Sequence, residues 1–430
     1  MKNVTPYRIL MSLVVCCLLM PALPAVAKEL PVGTVVSKAN LDQIKNDTFQ
    51  GHTIGSMLTE NMEYQVRNTG LTFKLANSKP LEMDPKFWAA TKKNAGTVKY
   101  NPQTREASGY VAGLPFQNID PSDPAAGDKV IWNYYYAVPD GRDIHYDLNF
   151  VTINRNGFEA SQVWTFQRIY SRARLGEAKS PIPETDVFTK TLFAGIWPDD
   201  VKGVGTYTVR YDSKDPAKNR VEDTFAYIKS ARRTRRLTGS AWMDAVGGLD
   251  MLQDDVHIWN TRPSWYKQVK VVGKRWILVT TEGRIIRNAS AKGSPAEFPQ
   301  VNFKEKPYWN FIDAPAIPRE VWVVEGIPPA EHPYGKKVVY IDTQVPSCYL
   351  GEMYDRQGKI WRSITYFYQP TVGKTTGIKY FATYFGRMID FKASHATLFM
   401  IHSDSPTGGA VPDNGDKWDR YSVEMLDRIQ

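Results

Sequence analysis

The chain has 430 residues, 42% hydrophobic and 12% aromatic, and 54 Lys and Arg against 45 Asp and Glu give it a formal charge of +9. Three cysteines exclude a disulfide-built scaffold, so an apolar core must hold the chain together, and this length permits one large domain or two ordinary ones. The modest positive excess suits anionic membrane surfaces or acidic partners and specifies neither.

Lys2 and Arg8 precede an uncharged apolar run from Ile9 to Met20, and "PALPAVA" follows with Ala25 and Ala27 at the small positions a signal peptidase reads. The run is too short to span a bilayer, and no stop-transfer segment follows. The expectation is a signal peptide over residues 1–27, a mature chain without a transmembrane helix, and a periplasmic location. Val14 and Val15 before Cys16 and Cys17 argue against a lipid anchor. Cleavage leaves Cys348 alone, read as a small buried residue because no basic group stands beside it to lower its pKa. Export also excludes nucleic acid as the expected partner.

Two helices are predicted near the front. Asn40 and Gln43 stand at capping-box spacing before residues 41–46. Asp84, Pro85, the lysines at 92 and 93 and Gly96 mark a helix over residues 85–94. Beyond them, alternation of aromatic and β-branched residues predicts strands over 130–136, 145–153, 162–170, 206–211, 275–280, 321–326 and 337–342. Tyr100, Tyr227 and Tyr354 each end a strand before polar turn residues and a basic residue, the pattern of a hairpin. Residues 288–300 read as a long surface loop. The fold expected is mainly β (α+β), a large antiparallel sheet with one buried face and a few covering helices, in a single domain over residues 28–430.

The hairpin "TFAYIKSARRTRRLTG" carries Arg232, Arg233, Arg235 and Arg236. Arg233 and Arg235 share a face of the return strand with Leu237. Arginines on both faces place this strand near a sheet edge, or turn one of its faces to a polar interior lined by carboxylates. Asp244, Asp250, Asp254 and Asp255 are the nearest candidate partners, and a site for phosphate or a lipid headgroup is the alternative.

"GYVAGLPF", "DPSDPAAGDKVIWN", "IWPDDVKGVGTYTVRY", "DTFAYIKSARRTRRL", "GGLDMLQDDV", "HPYGKKVVYID" and "MYDRQGKIWR", in this order, resemble an uncharacterised Gram-negative family, domain of unknown function 1329. The resemblance runs from about Gly33 to about Arg428. That family is distantly similar to the periplasmic carrier that sorts lipoproteins to the outer membrane. The resemblance implies a strongly curved, half-open barrel with helices over an apolar cavity. It also implies partners: a resistance-nodulation-division exporter and an outer-membrane protein. It supplies no catalytic residues.

Strand-face alternation nominates Trp132, Tyr134, Tyr146, Leu148, Phe150, Trp164 and Phe166 as the apolar walls of a ligand groove, with Arg233 and Arg235 at an anionic group. An ordinary packed core needs the same residue types, so the sequence leaves cavity and core both open. The six histidines form no metal-ligand motif, and no nucleophile elbow or phosphate loop is present, so neither a catalytic site, a metal nor a cofactor is expected. The functional expectation is a carrier of a hydrophobic or lipid-like molecule, the alternative being a non-carrying accessory subunit of an exporter.

Overall fold

A computed structural model describes residue 1 and residues 27–137, 141–177, 180–213, 222–229, 233–237, 239–280, 286–402 and 409–428. Residues 2–26, which hold most of the expected signal peptide, and Arg232 lie outside these. The strands are β1 (Val35–Val36), β2 (Thr48–Phe49), β3 (His52–Thr53), β4 (Phe73–Leu75), β5 (Lys99–Asn101), β6 (Glu106–Ser108), β7 (Asp143–Asn154), β8 (Gly157–Tyr170), β9 (Val187–Trp197) and β10 (Gly205–Tyr211). They continue as β11 (Asp223–Ile228), β12 (Arg233–Arg236), β13 (Gln268–Thr280), β14 (Pro315–Ile327), β15 (Lys336–Asp342), β16 (Cys348–Tyr354), β17 (Ile360–Val372), β18 (Lys379–Asp390) and β19 (His395–His402). The helices are α1 (Leu41–Ile44), α2 (Glu60–Asn68), α3 (Pro85–Lys93), α4 (Ala126–Ala137) and α5 (Glu424–Arg428).

One sheet takes 15 of these strands in the order β1-β4-β14-β15-β16-β17-β18-β19-β7-β8-β9-β10-β11-β12, with β13 on β14. Every pairing in it is antiparallel except β4 with β14. The order ends at β1 and β12 and does not close into a barrel. All three expected hairpins form, with Tyr100, Tyr227 and Tyr354 in or at the end of β5, β11 and β16.

The sheet is curled, and α4 gives the measure of it. Gly127 lies so close to β13 that a Cβ there would fall 2.5 Å from the Lys270 Cα. At the other side, Tyr135 stacks on Phe188 of β9, ring centroids 5.8 Å apart. Neighbouring strands lie about 4.8 Å apart, so a flat sheet could not bring β13 and β9, eight strands of the order between them, to one helix. The strands wrap α4. A single apolar cluster accordingly runs from Ile277 and Val321 through Tyr366 and Phe399 to Phe150, Trp164 and Phe193, with Val130, Ile131 and Tyr134 of α4 inside it.

Residues 130–136 are therefore helix, not strand. A turn at Asp123 leads into it, the carboxylate accepting from Ala125 N at 2.8 Å and the carbonyl from Ala126 N at 2.8 Å, with Pro124 just before the helix. The helix is buried nearly all round, so neither a period of two nor one of 3.6 shows in its sequence, and aromatic content alone reads as strand. Helix α3 has the expected start, Asp84 accepting from Lys86 N at 2.8 Å. In α1, Asn40 does not cap, because its side chain accepts instead from Ser37 N at 2.9 Å. Helix α2, capped by Thr59 Oγ1 on Met62 N, has no counterpart among the expected elements.

A second apolar cluster on the opposite sheet face joins Val151, Ile153, Phe385 and Leu398 to Phe298, Val301 and Trp309. Residues 288–300 are thus not a plain surface loop. Phe298 is fully buried, and Glu297, also fully buried, pairs with Arg287 at 2.7 Å.

Candidate functional site

The concave face of β7 to β12 carries one continuous cross-strand row. Register places Tyr146 opposite Phe166, Phe166 opposite Phe193, Phe193 opposite Thr206, Thr206 opposite Ala226 and Ala226 opposite Arg235. Directly opposed residues share a face. The row therefore grades from aromatic to cationic, with exposed Arg235 at the open end of the sheet.

Over this row lies a cavity of about 210 Å³, lined by Trp164, Phe193, Val204, Ala226, Leu237 and Val246 among others. Its floor is the strand face. Its roof is the turn over residues 241–247. Gly247 rests on the Trp164 ring, where a Cβ would meet the ring carbon Cη2 at 2.7 Å, and its φ of +48° lies in the left-handed region. A narrower cleft of about 30 Å³ shares Phe193, Thr206, Thr224, Ala241 and Gln253 with this cavity and continues it towards Arg168 and Arg210. Arg168 Nε donates to Thr191 Oγ1 at 2.9 Å, and its guanidinium lies 4.8 Å from the Phe166 ring. Arg210 pairs with Glu222 at 2.9 Å. A third space, of about 270 Å³, opens between α3, α4 and β13 to β15, with Phe87, Trp88, Phe116, Tyr134 and Trp322 in its walls.

The roof is anchored by a buried ionic cluster. Lys337 Nζ lies 2.8 Å from Asp254 Oδ2 and 2.8 Å from Asp255 Oδ1, and all three side chains are fully buried. Tyr266 and Tyr334 donate to the same two carboxylates at 2.6 and 2.7 Å. Burial alone would raise the Asp254 pKa, but Lys337 beside it holds it well below the usual carboxylate range. His257 N donates to Tyr366 Oη at 2.9 Å, and Tyr134 Oη donates to His257 O, so α4, the segment that follows the roof and β17 are stitched together.

The expected wall residues separate in space. Trp164 lines the larger concave cavity and Phe166 its polar continuation. Tyr146, Leu148 and Phe150 belong to the packed cluster behind them, Tyr146 stacked on Phe166 at 5.2 Å and Phe150 edge-on to Trp164 at 6.1 Å. Tyr134 lines the space beside α3. Trp132 is fully buried in a separate aromatic cluster, its Nε1 donating to Arg105 O at 3.0 Å. Phe193, Val204 and Val246 went unnamed in the sequence, although Phe193 sits in "FTKTLFAGIW", a run rich in the aromatic and β-branched residues that signal a strand.

Arg233, Arg235 and Arg236 are exposed on β12, the last strand of the order, as the edge reading required. Their expected pairing with Asp250, Asp254 or Asp255 does not hold. Asp254 and Asp255 enclose Lys337, Asp250 takes His395 Nδ1 at 2.7 Å and Thr397 Oγ1 at 2.8 Å, and Arg236 pairs with Asp223. Cys348 is buried, and burial pushes its thiol up to about 12. Among the described residues no three His, Cys, Asp or Glu side chains gather to hold a metal, and no helix is long and apolar enough to cross a membrane.

The model of the family described as "Protein of unknown function (DUF1329)" matches residues 35–426. No curated protein matches the chain. Among solved structures, a lipoprotein-sorting protein domain from Vibrio parahaemolyticus, described as a putative outer-membrane one, is 14% identical, with a TM-score of 0.45 over 71% of this chain and 100% of that one. A DUF1329 protein from Desulfovibrio piger is 12% identical, with a TM-score of 0.46 over 71% of this chain and 99% of that one. A LolA-superfamily protein from Nitrosomonas europaea is 9% identical, with a TM-score of 0.38 over 70% of this chain and 98% of that one.

Proposed function

We propose that this chain, which belongs to the DUF1329 family, is a periplasmic binding or carrier protein for a hydrophobic or lipid-like molecule. In this reading residues 1–27 are removed as a signal peptide and residues 28–430 act as one domain. The observation that carries the proposal is the cavity of about 210 Å³ on the concave face, walled by Trp164, Phe193 and Val246 and graded towards Arg235. Each methylene withdrawn from water contributes about 0.8 kcal/mol, so an acyl chain gains most from a continuous apolar surface of this kind. Cavities of about 150 Å³ already admit benzene, whereas drug-sized ligands fill roughly 300–1,000 Å³. The concave cavity therefore holds part of an acyl chain with the roof in place, and a whole lipid requires residues 241–247 to lift. An acidic headgroup would then meet Arg233 and Arg235 at the rim.

The test is direct. Organic extraction of the purified mature protein followed by mass spectrometry should yield a lipid in stoichiometric amount. Ala226→Trp, which fills the cavity from its floor, should lose that lipid and stay folded. Folded wild-type protein without lipid above control sinks the carrier reading. The exposed arginines of the terminal strand β12 favour a second reading, an accessory subunit that docks on a resistance-nodulation-division exporter or its outer-membrane partner. Protein that co-purifies with an exporter and carries no lipid would favour it.

A further inference from the structure

Arg387 stands on β18 between Thr365 of β17 and Leu398 of β19, well inside the sheet. It is 5% exposed. Nη1 donates to Asn310 Oδ1 at 2.8 Å and to Trp309 O at 3.5 Å, and Nη2 to Gln65 Oε1 at 3.2 Å, all neutral acceptors. Nε is buried without a hydrogen-bond partner. Burial alone acts on the group, drawing its pKa down to about 10, and among the described residues Arg387 makes no ion pair. It therefore carries its charge at neutral pH inside the protein, a strongly unfavourable state unless an anion completes it.

Arg387 forms part of the wall of a cavity of about 50 Å³, separate from those described above, whose other walls include Met62, Phe73, Val279, Phe311 and Phe367. A water needs about 10–15 Å³ of such space, so the cavity holds roughly three to five water-sized groups. That is room for a carboxylate and the first carbons of a chain. The apolar walls disfavour a hydrated inorganic anion, and a single guanidinium matches a single negative charge. Nε and Nη2 form the side-on fork that a carboxylate engages with two parallel bonds.

We infer that this cavity binds an aliphatic monocarboxylate, its carboxylate on the Arg387 fork and its alkyl chain against Phe73, Phe311 and Phe367. The inference does not depend on the concave cavity. Calorimetric titration of the mature protein with butanoate, butanol and butylamine tests it. Wild type should bind butanoate at least tenfold more tightly than butanol, and butylamine not at all. Arg387→Met should erase the preference for the acid, and Arg387→Lys should keep part of it. Ala314→Trp, which fills this cavity and retains Arg387, should abolish butanoate binding, whereas Ala226→Trp in the concave cavity should leave it unchanged. Equal affinity of wild type for butanoate and butanol overturns the inference even if Arg387→Met fails to fold. So does loss of butanoate binding in Ala226→Trp, which would place the acid in the concave cavity.

Discussion

His395 is clamped between two carboxylates, Nδ1 at 2.7 Å from Asp250 and Nε2 at 2.9 Å from Glu159. The hydrogen bond to Asp250 raises its pKa from 6.5 to about 9, against a smaller opposing effect of burial and with help from Glu159. A group whose folded pKa is raised stabilises fully below its unfolded value and loses that contribution as the pH rises through the folded one. Urea stability should therefore fall between pH 6.5 and about 9, and His395→Gln should flatten that slope. An unchanged slope in the variant would assign it to other groups. Local reading of the sequence paired these aspartates with the nearby arginines. Their actual partners, Lys337 and His395, stand 83 and 145 residues away, and no spacing rule reaches that far. Burial of Cys348, by contrast, was legible from its own neighbours.

Helix α4 shows where element-level patterning fails and what its position demands. Strands β7, β8 and β10 were legible to within a few residues, because one face is more buried or more aromatic than the other and the alternation survives. Surrounded on all sides, α4 lost its period. Its tight seat on β13 depends on Gly127, where an added Cβ would meet the backbone of Lys270 at 2.5 Å. In an open helix, Gly→Ala gains about 1 kcal/mol of propensity. Here overpacking, which costs about 1–3 kcal/mol, opposes that gain and outweighs it. Gly127→Ala should therefore destabilise the protein in urea and perturb the near-ultraviolet signal of the Trp132–Tyr136 cluster. A stabilised variant would mean that α4 can slide on the sheet at no cost.

At the scale of the whole molecule, the apolar cluster is continuous from β13 to β9, so damage at its centre should not stay local. Phe150 is 2% exposed, and Phe150→Asp buries an unpaired carboxylate. Its expected outcome is loss of the cooperative unfolding transition, with exposed apolar surface that binds a hydrophobic dye. Leu237→Asp, at the rim of the concave cavity, should keep that transition and lose co-purified lipid. The family resemblance, from about Gly33 to about Arg428, takes in the whole span that the family model matches, residues 35–426. The curl of the sheet was implied by that resemblance, but its filling by a helix was not, because helix and strand compete for the same aromatic residues.

The seam between β19 and β7 sets the order in which such a molecule can assemble. His402 bonds to Asn149 across it, 253 residues back along the chain. A polypeptide delivered amino end first can build β7 to β12 as successive hairpins as each emerges. The other edge of β7 has no neighbour until residue 395 arrives. Loop closure over such a separation is slow compared with hairpin formation. Until then the half-sheet leaves one edge of β7 unpaired, an edge that invites a second chain. Completion of the sheet therefore waits on β19, the last strand in chain order.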